Sequence, residues 1–356
     1  MGLGIVGSAI AWYLAKAGYQ VVGYDQFAPP HSRGSSHGQN RLLRRTPAEG
    51  MLYAQLAERA FALWPAVEKS ARRKLVHSIG CLDISEPGSN WAAISHDLAC
   101  TLDVSSRELT LDEARGILPI FRFRKGMTVT HSPLSGTVAA EGSIEAFLEL
   151  ACDAGAKLYK GVKVEYVDTE SCAVLARGTA LRRYDHVLLC CGGWIRQFVQ
   201  IPVSIEKRVL AWFTHAEQNR TLPGFVVDGP RGTVYGMPGS DGISYKIGDD
   251  KHLGQSIRPN APLTVSNSDR QFLLQRAGQY LKGVKKDAVI YKACKYTLTS
   301  SKDFLIDRIP ENPRIVVFSP CSGHGFKYAP AYGEIAKAFI ENSERRLPFD
   351  LSLFRA

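Results

Sequence analysis

The sequence lacks the features that define several large classes of protein. Its 356 residues contain no apolar run of the roughly 18 to 20 residues that a membrane span needs, and no basic-then-apolar signal peptide. Its eight cysteines include no C-x-x-C pair, and its nine histidines show no H-E-x-x-H spacing. We therefore expect no metal, no membrane partner and mostly buried free thiols in a reducing compartment.

The basic charge of the chain does not follow a nucleic-acid-binding pattern. Lys and Arg outnumber Asp and Glu by 44 to 34, which gives a formal net charge of +10. These residues occur in short pieces without interleaved stacking aromatics, so no nucleic-acid partner is predicted. A basic surface that attracts small anionic ligands is favoured instead.

A glycine pattern opens the chain, with Gly2, Gly4 and Gly7 in G-x-G-x-x-G spacing. In such a pattern the first glycine makes a tight turn, the second lets the backbone approach a pyrophosphate, and the third lets a helix pack closely. A helical stretch and then a strand follow, and the strand ends at Asp25, whose carboxylate suits ribose hydroxyls. The pattern predicts dinucleotide binding.

The strand that ordinarily precedes such a glycine pattern is missing ahead of Gly2. We expect the natural polypeptide to carry about six to ten further residues there, a usual strand length. A central parallel strand is buried on both faces and contributes several apolar side chains. A truncated, non-catalytic homologue is therefore an alternative to an active enzyme.

Further apolar strands at 185–191 and 315–318 also end at glycines, and the carboxyl ends of such strands share one crevice. The predicted fold is α/β plus α+β. A Rossmann-like nucleotide-binding domain is expected from residues 1–75, 139–197 and 294–356. Short alternating strands predict a mostly antiparallel substrate domain, inserted as residues 76–138 and 198–293, with the active site between the domains.

Arg41 and Arg44 follow a loop rich in proline, glycine and hydroxyl groups. Their spacing suits a helical turn that directs both guanidinium groups to one side. One would then serve a cofactor and the other a substrate carboxylate.

Three motifs resemble the monomeric sarcosine oxidase family of FAD-dependent amine oxidases: the run 30–44, Ala293-Cys294-Lys295-Tyr296-Thr297, and Ser322-Gly323-His324-Gly325-Phe326-Lys327. The loop 31–39 is most similar to the animal peroxisomal sarcosine and L-pipecolate oxidases. The resemblance covers nearly the whole chain. It implies a monomer that uses FAD and O2 to oxidise a small secondary amino acid, such as sarcosine or L-pipecolate, to an imine with release of hydrogen peroxide.

The resemblance also implies roles for individual residues. Lys246 would activate oxygen, although periodicity alone favours a solvent-facing lysine on an edge strand. Arg44 and Lys327 would hold the substrate carboxylate, and Tyr235 and Tyr296 would line the substrate cavity. Arg41 would lie beside the flavin ring.

The flavin is expected to be attached covalently through Cys294. From the residues alone, the neighbouring Lys292 and Lys295 would favour the thiolate that attachment requires. The remaining contacts to the cofactor are expected from Gly2, Gly4, Gly7, Asp25, Ser36, His37, Arg41, Val164, Gly192, Gly323, Gly325 and Lys327.

The sequence departs from the family at Asp250, where a histidine is common four residues after the lysine. An acid there would repel a carboxylate or attract an amine, which leaves open a preferred substrate other than sarcosine. A flavin dehydrogenase with another electron acceptor is the alternative enzyme. The resemblance favours the peroxisome, but the C-terminal Leu353-Phe354-Arg355-Ala356 is not an S-K-L signal, which leaves the cytoplasm open.

Overall fold

Helices and strands alternate along most of the chain. The computed structural model describes residues 1–215, 217, 221–251, 254–283 and 289–355. The α-helices are α1 Ile5–Lys16, α2 Met51–Ala71, α3 Trp91–Thr101, α4 Leu111–Ile117, α5 Ala140–Asp153, α6 Asn267–Tyr280 and α7 Ala329–Ile340.

The strands in these described ranges are β1 Val22–Asp25, β2 Asn40–Leu43, β3 Val76–His77, β4 Cys81–Ser85, β5 Arg107–Leu109, β6 Thr128–Ser132, β7 Gly136–Ala139, β8 Lys157–Lys160, β9 Val164–Asp168, β10 Ala173–Ala176, β11 Arg182–Arg183, β12 Val187–Leu189, β13 Val203–Thr214, β14 Gly224–Asp228, β15 Val234–Pro238, β16 Ser244–Asp249, β17 Val289–Thr299, β18 Leu305–Ile309 and β19 Asn312–Ser319.

The parallel pairs of the nucleotide-binding half are β1 with β8 and β12 with β19. Met1 and Gly2 lie between these pairs. Gly2 N donates to Tyr24 O at 2.8 Å, and Cys190 N donates to Met1 O at 2.8 Å. Helices α1, α2, α5 and α7 pack into the apolar core beside them. The Rossmann-like arrangement predicted from the strand ends is confirmed.

The second half is built on a large sheet with the order β17-β13-β16-β15-β14-β4-β6-β5 in the described chain. All of its neighbours pair antiparallel except β14 and β4, which pair parallel. This confirms the predicted antiparallel substrate sheet. Strand β17 continues to Thr299, so the domain boundary expected at 294 falls inside it.

Buried ion pairs hold α6 against this sheet. Lys207 Nζ lies 2.7 Å from Asp269 Oδ2, and Arg276 Nε lies 2.6 Å from Asp249 Oδ2. Removing one partner of such a pair leaves an uncompensated buried charge, which costs about 3–5 kcal/mol. The pairs therefore fix β13, through Lys207, and β16, through Asp249, from the helix side.

The arginine segment forms a strand, and the expected helical turn is wrong. Residues 40–43 make β2, which pairs antiparallel with β7. Hydrogen bonding to this distant partner decides the backbone conformation, which the three-residue spacing of Arg41 and Arg44 alone could not reveal.

Candidate active site

A cavity of about 580 Å³ lies between the two halves of the molecule. Its wall is formed by the carboxyl ends of β1, β12 and β19 and by one face of the large sheet. It brings together Gly2, Gly4, Asp25, Ser36, Arg41, Arg44, Val164, Gly192, Tyr235, Lys246, Cys294, Tyr296, Gly323, Gly325 and Lys327. Most of the residues selected from the sequence therefore share one cavity.

The glycine segment turns at one end of this cavity. Gly2 has φ +82°, and a Cβ there would collide with the carbonyl oxygen of Cys190. Gly4 is the N-cap of α1 and provides no side-chain cap, so the positive end of the helix faces the cavity. Ser36 Oγ accepts from Ile5 N at 3.3 Å. This arrangement fits the pyrophosphate of a dinucleotide.

Asp25 is fixed by the backbone next to this turn. Its Oδ2 accepts from Leu3 N at 2.8 Å, and its Oδ1 accepts from Phe27 N at 2.8 Å. Each carboxylate oxygen keeps a further lone pair for a hydroxyl in the cavity. The donor set at this end therefore fits FAD.

Two expected cofactor contacts are not in the cavity wall. A Cβ on Gly7 would collide with the carbonyl oxygen of Gly2, so this glycine lets α1 pack against the turn instead of facing a phosphate. His37 is buried behind the wall, and its main-chain oxygen accepts from Arg41 Nη2 at 2.6 Å. Burial, with the charge of Arg41, lowers the pKa of His37 to about 4.

Lys246 lies on β16, between β13 and β15 in the interior of the large sheet. The interpretation as an edge-strand lysine is wrong, because the side chain is only 1% exposed. Its Nζ donates to Asn40 O at 3.0 Å and lies 5.3 Å from the centre of the Trp212 ring. Burial and then the charge of Arg41 hold the pKa of Lys246 well below its usual value.

Arg44 already has two acidic partners, Glu49 in the cavity wall and the buried Asp83. Its Nη2 lies 2.9 Å from Glu49 Oε2 and its Nη1 lies 3.7 Å from Asp83 Oδ1. Its guanidinium also lies 4.9 Å from the centre of the Trp91 ring. Burial opposes the charged form, but the two carboxylates outweigh it and raise the pKa of Arg44.

Lys327 completes this charged cluster. Its Nζ donates to His324 O at 3.0 Å. Burial lowers the pKa of Lys327 to about 8, and Glu49 opposes that shift. Burial would raise the pKa of Glu49, but Arg44 and Lys327 together hold it at about 2.

Glu49 and Asp83 were not predicted as site residues. An acid shortly before a helix, as Glu49 is before α2, is an ordinary feature of helix starts. Asp83 lies within β4, far from Arg44 along the chain. Neither position carries a local signal that separates a site residue from a structural one.

Tyr235 and Tyr296 meet over the face of the large sheet, with 3.1 Å between their hydroxyl oxygens. Gly248 makes this possible, because a Cβ there would lie 2.5 Å from the Tyr235 ring. Burial raises the pKa of both hydroxyls, so both are protonated near neutral pH.

Cys294 lies beside this tyrosine pair and is 3% exposed. Burial raises the pKa of its thiol, and Arg41, Lys246 and Arg208 oppose the shift. The expectation that Lys292 and Lys295 favour the thiolate is wrong. The net shift has the opposite sign, and Lys295 Nζ donates to Arg33 O at 3.0 Å.

The part of the chain that the structure describes contains no group of three or more His, Cys, Asp or Glu side chains that could hold a metal ion. None of its helices is long and apolar enough to cross a membrane.

Together, the helix N-terminus at the glycine turn, the fixed carboxylate and the cavity between two domains are typical of the class of dinucleotide-binding oxidoreductases. The chain belongs to the FAD dependent oxidoreductase family, whose model matches residues 1–338. The FAD-dependent amine oxidoreductase predicted from the sequence is thereby confirmed.

Comparisons with individual proteins agree with this assignment. N-methyl-L-tryptophan oxidase of Yersinia pestis (strain Pestoides F) is 28% identical over 364 residues, covering 99% of this chain and 96% of that protein. The structure of NikD, an unusual amino acid oxidase essential for nikkomycin biosynthesis, has a TM-score of 0.84 at 21% identity, covering 99% of this chain and 95% of that one. L-proline dehydrogenase from P. horikoshii has a TM-score of 0.81 at 21% identity, covering 98% and 93%.

Proposed function

We propose that this protein uses FAD and O2 to oxidise a small secondary amino acid, with sarcosine and L-pipecolate as the leading candidates. One observation carries the proposal. Arg44, Lys327, Lys246 and the Tyr235–Tyr296 pair line the cavity that also contains the glycine turn. Groups suited to a carboxylate, to oxygen and to a nucleotide thus converge from distant segments. The similarity to an oxidase that is named for an N-methyl amino acid supports this substrate class.

Arg44 and Lys327 would bind the substrate carboxylate. The formal charges of Glu49 and Asp83 balance those of Arg44 and Lys327, so an incoming carboxylate would replace Glu49 at Arg44. Within the described residues, Arg44 Nε is buried and has no hydrogen-bond partner, which leaves one donor for the substrate. Two cations from separate segments would fix both the position and the orientation of the amino acid.

FAD, when bound, removes two electrons and a proton from the carbon next to the amine nitrogen and returns the electrons to O2. Lys246 would supply an N–H donor, or an ammonium as negative charge develops beside it, at a point screened from water by the sheet. Tyr235 and Tyr296 would shape the wall against which the substrate lies.

The cofactor would be held along the whole cavity. Gly2 and Gly4 would contact the pyrophosphate, Asp25 the ribose, and Val164 the adenine through its backbone. The remainder of the cofactor would be contacted by Arg41, Lys327 and the loop residues Ser36, Gly192, Gly323 and Gly325. Cys294 would form a thioether with the flavin 8α-methyl group, which replaces its S–H bond and one methyl C–H bond, and the two electrons released would pass through the flavin to O2. The raised pKa of its thiol means that attachment would require the nearby cations.

The experiment is an oxidation assay across sarcosine, L-pipecolate, L-proline and N-methylated amino acids, with amine loss and hydrogen peroxide measured together. One peroxide per amine consumed supports the oxidase. Amine loss that requires an artificial electron acceptor would indicate a dehydrogenase instead of an oxidase. A purified protein without flavin would favour a non-catalytic homologue. Flavin that stays with the acid-precipitated protein would support covalent attachment. A monomeric state and residence in the peroxisome or the cytoplasm stay predictions.

A further inference from the structure

The mouth of the cavity carries an ion pair that the proposed reaction does not use. Asp250, directly after β16, and Lys302, after β17, both line the cavity, and Lys302 Nζ lies 3.4 Å from Asp250 Oδ2. Their side chains are 34% and 55% exposed, whereas Lys246 on the same wall is buried. The pair therefore lies where the cavity opens to solvent.

Backbone hydrogen bonds fix the position of Asp250, whereas the ammonium of Lys302 lies at the end of a long, exposed side chain. Asp250 N donates to Thr233 O at 3.0 Å, and Asp250 O accepts from Arg208 Nε at 2.7 Å. Lys302 holds its ammonium on a long exposed stem, and exposed pairs of this kind are weak. A ligand cation can therefore replace Lys302 at Asp250 without rearranging the sheet.

The carboxylate of Asp250 also faces the inside of the cavity. Its negative charge contributes to the raised pKa of both Tyr235 and Tyr296, so it lies close to the tyrosine pair. Arg44 and Lys327, the proposed partners of the substrate carboxylate, line the same cavity. A ligand that spans the cavity thus meets cations at one point and an anion at another.

We propose that Asp250 is a specificity-determining residue that selects substrates with a second, cationic group besides the amine that is oxidised, and that this group takes the place of Lys302. The inference rests on the proposed function and narrows its substrate class to secondary amino acids with a basic side chain. Apolar analogues of equal length would leave Asp250 paired only with Lys302.

The first test measures binding by calorimetry, independently of turnover. The probes are ω-amino acids from β-alanine to 6-aminohexanoate and unbranched alkanoates of the same lengths. At the length that spans the cavity, the amino compound is expected to bind about tenfold more tightly than its alkanoate. Asp250→Asn should remove this preference, and Lys302→Met should increase it because the competing cation is gone.

The second test uses turnover of a matched pair, Nα-methyl-L-lysine and N-methyl-L-norleucine. The wild-type protein should favour the lysine compound in kcat/KM by about tenfold, and Asp250→Asn should abolish the preference. Glu108→Gln, a change at an exposed acid on β5, is the matched control and should preserve it. Retained flavin absorbance verifies that each variant is folded.

The outcomes separate this inference from the proposed function. Oxidation of N-methyl amino acids with no preference for the cationic probe at any length overturns the role of Asp250 and leaves the oxidase intact. Preference for the cationic probe that depends on Asp250, without oxidation of any amine, supports the binding role and overturns the oxidase. Preference that survives Asp250→Asn also refutes the inference.

Discussion

Replacing Glu49 with glutamine tests the charge balance of the proposed carboxylate site. Arg44 and Lys327 hold the pKa of Glu49 at about 2, against an ordinary value of 4.5. At 1.36 kcal/mol per pKa unit, this difference corresponds to about 3 kcal/mol of stability contributed by the ionised carboxylate. Because the folded pKa is depressed, that stability is fully present above pH 4.5 and is lost as the pH falls towards 2.

Glu49→Gln removes the charge at every pH, so its free energy of unfolding at pH 7 is expected to fall by up to about 3 kcal/mol. Binding of a carboxylate should change in the opposite direction. In the wild-type protein the ligand must separate Glu49 from Arg44, which lies 2.9 Å away, and in the variant it need not. If ligand binding gains about half of the roughly 3 kcal/mol that the Glu49 carboxylate contributes, the dissociation constant of the carboxylate ligand falls about tenfold.

The assay combines urea unfolding with titration of flavin absorbance by tetrahydrofuran-2-carboxylate, which has a carboxylate and a ring but no amine. Glu58→Gln is the matched control. Glu58 pairs with Arg45, its side chain is 25% exposed against 22% for Glu49, and it does not line the cavity. Equal effects of the two variants on carboxylate binding, or weaker binding to Glu49→Gln, would refute the reasoning.

Three further predictions concern single residues of the cavity. Lys246→Met should slow flavin reoxidation by at least about tenfold in stopped-flow experiments and change flavin reduction little, and equal slowing of both half-reactions would contradict its role. Carboxylate affinity should fall as the pH rises through about 8, where Lys327 loses its proton, and Lys327→Met should lack this fall. The Cys294→Ser variant should still bind FAD, and acid precipitation should release that FAD. Equal release of flavin from the wild-type protein would exclude the thioether.

Local sequence patterns were sufficient to predict the nucleotide-binding elements. The strand expected to end at Asp25 is β1, and the strand expected at 315–318 lies within β19. Glycines and a carboxylate follow these strands within a few residues, so spacing along the chain carries the information. The position of Gly7 also agrees with the glycine pattern, because the third glycine lets α1 pack closely against the turn at Gly2 and does not contact a phosphate.

The burial of Lys246 could not be predicted in the same way. The alternation of polar and apolar residues along β16 is the same for an edge strand and for an interior strand. The strand becomes interior only because β13 pairs with it on one side and β15 on the other. This sheet order depends on contacts between distant segments, which a hydrophobic period does not encode.

The charge balance of the site is even harder to predict from the local sequence. Arg44 follows β2, Asp83 lies in β4, Glu49 precedes α2 and Lys327 follows β19, and each is locally an ordinary surface-type residue. Folding brings Arg44, Glu49 and Lys327 into one cavity and places the buried Asp83 behind Arg44, where desolvation strengthens the interactions between them. A lone Arg44–Lys327 pair would be strongly cationic, whereas the two carboxylates make the site neutral. In the proposed reaction, substrate affinity would therefore depend on how readily Glu49 is displaced from Arg44, a property of the assembled cluster and not of either cation alone.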